Sequence, residues 1–152
     1  MNLIKTTMVL LTLAVAILSA GCSIPVCCAP QPDAPLRHPE TEKRIELIEH
    51  SLELFSNRKF EQLTALYADE TRPHFAAAMK QKEQELSDEE IKAYVDGMRS
   101  YVFSKEGRVG RQHRWHVAYE SELVAGRYIV YTVVKEAGEY RIVDLKVAAV
   151  RE

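Results

Sequence analysis

The side chains with which this chain could do chemistry are a few histidines, carboxylates and cysteines. His113 and His116 bracket Arg114-Trp115. Imidazole is a common zinc ligand, but residues three apart on a strand point to opposite faces, so these two cannot share one ion. Glu46 and His50 stand four apart, a spacing that brings side chains together on a helix. Zinc needs three or four ligands; no third converges from sequence, so a solvated pair and no metal are expected. Asp144, near Tyr131, has the types of a general base beside a phenol donor. It alternates out of an apolar strand face, where open water leaves a base little advantage. No catalytic residue is assigned, and no cofactor is implied.

The three cysteines lie at Cys22, Cys27 and Cys28, all ahead of the patterned part of the chain. A disulfide framework for the core is therefore excluded. Adjacent Cα atoms are held ~3.8 Å apart, below the usual disulfide range, so a Cys27–Cys28 bridge is strained. What remains is free thiols or a disulfide dimer through Cys27 or Cys28. The formal net charge of −2 gives no basic surface for nucleic acid. Lys105, Arg108, Arg111 and Arg114 do cluster. They read as a solvated loop, with lipid headgroups or an acidic partner as the functional alternative.

Three kinds of segment must position these residues. Met1–Lys5 carries one cation, Met8–Leu18 is an apolar run, and Leu18-Ser19-Ala20-Gly21-Cys22 closes it with small residues. That is the layout of a secretory signal, and the run is shorter than the ~20 apolar residues of a membrane span. Ser23–Pro39 follows with five of the six prolines, Pro25, Pro30, Pro32, Pro35 and Pro39. Such a tether is semi-rigid, at ~3.1 Å per residue a reach of roughly 50 Å.

Beyond Glu40 the pattern turns helical. Ile45, Ile48, Leu52 and Phe55 make a first stripe, and Phe60, Leu63, Leu66 and Tyr67 a second. Thr71-Arg72-Pro73 opens a third helix reaching about Leu86. Ser87-Asp88-Glu89-Glu90 is a capping box for a fourth, with Ile91, Tyr94, Val95, Met98 and Val102 on its buried side. Gly107 and Gly110 mark the change to period two. Strands are predicted at 111–123, 127–136 and 139–149, joined by links short enough to force antiparallel neighbours. Trp115, Val117 and Tyr119 on the first strand and Val143, Leu145 and Val147 on the third face the helices. The middle strand is apolar on both sides, so its orientation is left open. The expectation is α+β: N-terminal helices packed on a C-terminal three-stranded antiparallel meander.

Two resemblances attach to these residues. The ending Ala20-Gly21-Cys22 resembles the lipobox of bacterial lipoproteins, with Ser19 where that family prefers Leu. The resemblance implies cleavage between Gly21 and Cys22 and lipidation of Cys22. Two or three acyl chains make attachment durable, each buried CH₂ contributing ~0.8 kcal/mol. Ser23 after the cysteine is not the Asp that retains lipoproteins at the inner membrane. The implied location in a Gram-negative host is thus the periplasmic face of the outer membrane.

The second lies in Phe60-Glu61-Gln62-Leu63-Thr64-Ala65-Leu66-Tyr67-Ala68-Asp69, which is similar to the second-helix segment of NTF2-like cone-shaped domains. Gly126–Val134 with Gly138-Glu139-Tyr140-Arg141-Ile142-Val143-Asp144-Leu145 is similar to their closing hairpin. The chain departs from that family in reading helical over Thr71–Leu86, where a strand is common. The resemblance implies a sheet curled around the first helix. Were that cone open, Trp115, Tyr119 and Tyr131 would line a small-molecule or lipid cavity, and Asp144 with a Tyr-containing oxyanion hole would make an isomerase-like site. The organisation expected is a signal at 1–21, a lipidated cysteine and tether at 22–39, and a domain at 40–152. The leading functional expectation is a membrane-anchored, non-catalytic domain binding an envelope protein partner. A cavity protein is the alternative, with an enzyme behind it.

Overall fold

The computed structural model describes residues 38–149. The signal, Gly21, Cys22, Cys27, Cys28 and nearly all of the tether lie outside the described residues. Among the described residues four helices precede four strands. They are α1 (Pro39–Ser56), α2 (Phe60–Ala65), α3 (Arg72–Glu85), α4 (Asp88–Gly97), β1 (Met98–Val109), β2 (Gln112–Ser121), β3 (Arg127–Glu136) and β4 (Glu139–Ala149). The strands form one antiparallel sheet in chain order. The architecture is α+β, with the helices on one face of the sheet.

Local chemistry sets the helix starts. Pro39 occupies the first turn of α1, where its missing N–H costs no hydrogen bond, and His38 Nδ1 accepts from the Glu40 amide. The capping box of α4 is complete: Ser87 Oγ accepts from the Glu90 amide at 3.2 Å, and Glu90 accepts from the Ser87 amide at 2.9 Å. Arg58 takes a left-handed φ of 55° between α1 and α2. The guanidinium offsets that strain by donating to Asp88 at 2.7 Å and the Leu86 carbonyl at 2.6 Å, fastening the first loop to the start of α4.

The sheet corrects the expected three strands to four. Met98 and Val102 fit the stripe of a longer α4, but the helix stops at Gly97 and the chain extends from Met98. Tyr101-Val102-Phe103 is β-branched and aromatic, poor for a helix and good for a pleated surface. Gly97 is also a contact point, since a β-carbon there would lie 2.6 Å from Leu123 Cγ. Its carbonyl accepts from the Glu122 amide and the Ser121 hydroxyl, tying the start of β1 to the end of β2.

The orientation of β3 is settled by a bulge. The two-residue turn Ala137-Gly138 starts the pairing at Glu136↔Glu139 and carries it to Val133↔Ile142. There Val143 is left unpaired, so Thr132 meets Asp144 and Tyr131 meets Leu145. Ile129, Tyr131 and Val133 consequently join Trp115, Val117 and Tyr119 on the helix-facing side. Val143 leaves that side, contrary to the alternation expected of β4, and clusters with Ala68 and Val134. Ile142 takes its place in the main core and bridges to Tyr67, which follows α2.

Candidate functional site

The inner side of the sheet is filled by rings. Phe55 meets Phe60 and Tyr94 edge-on at 5.9 and 5.4 Å, and Tyr119 meets Tyr131 at 6.0 Å. The Tyr94 and Tyr131 hydroxyls lie 3.4 Å apart, and burial pushes both phenols above their ordinary range. Tyr67 is raised too, by burial first and then by Tyr94 and Asp144. A cavity of about 40 Å³ remains between Phe55, Tyr67, Met79, Tyr94, Tyr131 and Leu145. That is well below the apolar cavity of about 150 Å³ that takes up benzene.

Of the three residues expected to line a cone, Tyr131 alone borders this cavity. Tyr119 is buried between Tyr101 and Tyr131. Trp115 lies toward the end of the sheet that carries the β1–β2 turn, edge-on to Tyr140 at 5.4 Å. Over the Trp115 and Tyr140 rings, at 5.2 and 5.3 Å, sits the guanidinium of Arg44, which sequence reasoning passed over. Arg44 is 6% exposed and donates to the Tyr140 hydroxyl at 3.0 Å and to Thr41 at 2.9 Å. The available signal was its phase: Arg44, Ile48, Ser51 and Phe55 share one helical stripe, and all are buried. Glu40 completes the cluster. Bonds from Lys43, the Tyr140 hydroxyl and Lys135 hold its carboxylate down to about 2.

The outer side of the sheet is built differently. One cross-strand row reads Phe103, Ala118, Val130 and Lys146, and the next Lys105, His116, Thr132 and Asp144. Tyr128 meets Phe103 edge-on at 6.0 Å. His116 Nδ1 lies 3.3 Å from the Thr132 hydroxyl. Burial lowers the His116 pKa, and repulsion from Lys146 lowers it further, with Arg114 and Lys105 adding smaller pushes against the pull of Asp144. The small residues at the centre of this face, Ala118, Val130 and Thr132, are buried, and aromatic and cationic side chains stand around them.

The chemical candidates do not converge. His113 and His116 fall on opposite faces of β2, His113 being bonded to Glu106 and to Arg108. His50 meets Glu53 rather than Glu46. Asp144, its Oδ1 buried without a hydrogen bond, lies on the outer face while Tyr131 points inward. No group of three or more His, Cys, Asp or Glu among the described residues could hold a metal ion. No described helix is long and apolar enough to cross a membrane. A larger concavity of about 450 Å³ lies on the surface beside Asn57, Arg58, Asp88, Lys92 and Asp96, where two acids and two bases alternate.

No family model matches the chain, and no curated protein matches it. Among solved structures it is similar to Aln2 from a Streptomyces species, at 12% identity and a TM-score of 0.42 over 76% of this chain and 94% of that one.

Proposed function

We propose that the protein is a lipid-anchored envelope lipoprotein whose α+β domain engages a protein partner through its surface and carries out no reaction. The anchoring half rests on the apolar run ending in Ala20-Gly21-Cys22. In a Gram-negative cell the domain would then sit on the periplasmic face of the outer membrane. The binding half is carried by one observation: the aromatic interior leaves about 40 Å³, so a ligand as large as benzene has to be met outside. The outer sheet face suits that task, with Phe103 and Tyr128 as apolar contacts and Lys105, His116 and Lys146 as polar ones. Helices followed by an antiparallel meander packed against α1 support the NTF2-like reading of the architecture. Cys27 and Cys28, just past the anchor, offer a disulfide dimer.

Labelling with palmitate tests the anchor: wild type takes the label and Cys22→Ala does not. A photo-cross-linker at Phe103 or Lys146 in cells tests the surface. It should capture one partner from wild type, and much less from Cys22→Ala. An unlabelled wild-type chain overturns the anchor, and cross-links no different from those at Gln84 on α3 overturn the surface. Non-reducing electrophoresis that yields monomer alone removes the dimer.

A further inference from the structure

We propose that the end of the β1–β2 hairpin, with Val109 beside its turn and Lys105, Arg108 and Arg111 along it, docks on an anionic bilayer surface beside the anchor. Its placement rests on the lipoprotein reading above. Residues 105–114 hold four cations and one carboxylate in a chain whose net charge is −2. Gly110, at φ 62°, and Arg111 turn the strand back, and Val109, paired with Gln112, is the last residue of β1 before that turn. Val109 is 58% exposed and is the exposed large apolar side chain of the described residues. An exposed apolar side chain beside the turn, with cations on the same hairpin, matches a headgroup layer, where methyl groups enter the acyl boundary and guanidinium groups meet phosphate.

The fold puts this hairpin turn at the end of the domain where α1 begins. Trp115 pairs with Val133 and touches Tyr140, and Arg44 of α1 lies over both rings. Glu40 accepts from Lys135 and Tyr140 at the base of the β3–β4 turn. The β1–β2 turn, the β3–β4 turn and the first turn of α1 therefore share one end of the domain, the end that holds His38. Of the carboxylates there, Glu40 pairs with Lys43 and Lys135, Glu70 with Arg114 and Glu139 with Arg141, while Glu106 meets His113 and Glu136 accepts from the Asp69 amide. Arg108 contacts His113 and no carboxylate, while Lys105 and Arg111 have no ion pair among the described residues. These three cations outnumber Glu106 and Glu136, the two carboxylates named above that meet no lysine or arginine.

The test uses the full chain with Val109→Trp, read against Trp115, the one native tryptophan. Protein is incubated with vesicles of phosphatidylcholine alone or mixed with phosphatidylglycerol, both carrying brominated acyl chains, and floated. Anchoring predicts flotation on both. Hairpin docking predicts quenching of the new tryptophan on the anionic vesicles alone, lost in high salt. Arg108→Gln with Arg111→Gln lowers the docked-to-undocked ratio about 25-fold, about five-fold per cation. Flotation on both vesicles with equal quenching overturns the hairpin proposal and leaves the anchor standing. Salt-sensitive flotation with quenching on the anionic vesicles alone supports the hairpin and removes the anchor. Flotation on neither overturns both.

Discussion

The two faces of one sheet solve opposite problems. Toward the helices, Ile129, Tyr131, Val133 and Ile142 are nearly dry and meet the rings of α1 and α4. Away from them, Ala118, Val130 and Thr132 are just as buried, yet under a fringe of Phe103, His116, Tyr128 and Lys146 instead of a second layer. The inner face depends on complementary shape. The outer one tolerates a change of charge or length, because its fringe is half-buried and open to water on one side. Stability should thus reside inside and recognition outside, a division that mutation can break.

The largest effect is expected inside. Phe55→Ala removes a ring that touches Phe60 and Tyr94, and should cost about 3–5 kcal/mol in denaturant unfolding. Lys146→Ala on the outer face should stay within ~0.5 kcal/mol. A similar cost for the two would dissolve the contrast. Next comes the seam where α4 becomes β1. Gly97→Ala forces a methyl against Leu123 and should cost about 1–3 kcal/mol, while Leu123→Ala in the same background should restore part of it.

Ala137 works in the other direction. It holds φ 49° in the β3–β4 turn beside Gly138 at φ 90°, a conformation that favours Asn or Gly. Ala137→Asn should raise stability by roughly 0.5–1 kcal/mol without moving the sheet.

The smallest effect belongs to His116. Its pKa is lower folded than unfolded, so the unfolded chain takes up the proton first. Its contribution is complete above the unfolded value of about 6.5 and is lost as pH falls through the lowered one. His116→Asn should flatten that slope. Lys146→Gln should raise the His116 titration point seen by NMR, and an unmoved midpoint would remove Lys146 from the cluster.

Much of this was legible in the chain, for physical reasons that also mark where legibility ended. Two helix starts were written in Thr71-Arg72-Pro73 and in Ser87 with Glu90, and the bounds of β3 and β4 in the Gly-containing turns beside them. Met98–Val109 was misread because Met98 and Val102 continue a four-residue spacing while also suiting a strand; a contact with Leu123, far along the sequence, decided between them. The orientation of β3 could not follow from a strand apolar on both sides, and the bulge at Val143 that fixes it has no glycine to announce it. Of the candidate site, Trp115, Tyr119 and Tyr131 were named for an open cone, and Tyr131 alone borders the cavity, while the burial of Arg44 had its helical phase as the one signal.

The Arg44 cluster has a mechanical consequence. Tension pulling on the chain ahead of His38 reaches the domain at the first turn of α1, which is riveted sideways to the β3–β4 hairpin by Glu40, Lys135 and Tyr140 and by the guanidinium wedged against Trp115. Unzipping α1 turn by turn would need these fastenings to yield together. A pulling force there is therefore met by the β3–β4 hairpin as well as by the helix's own hydrogen bonds.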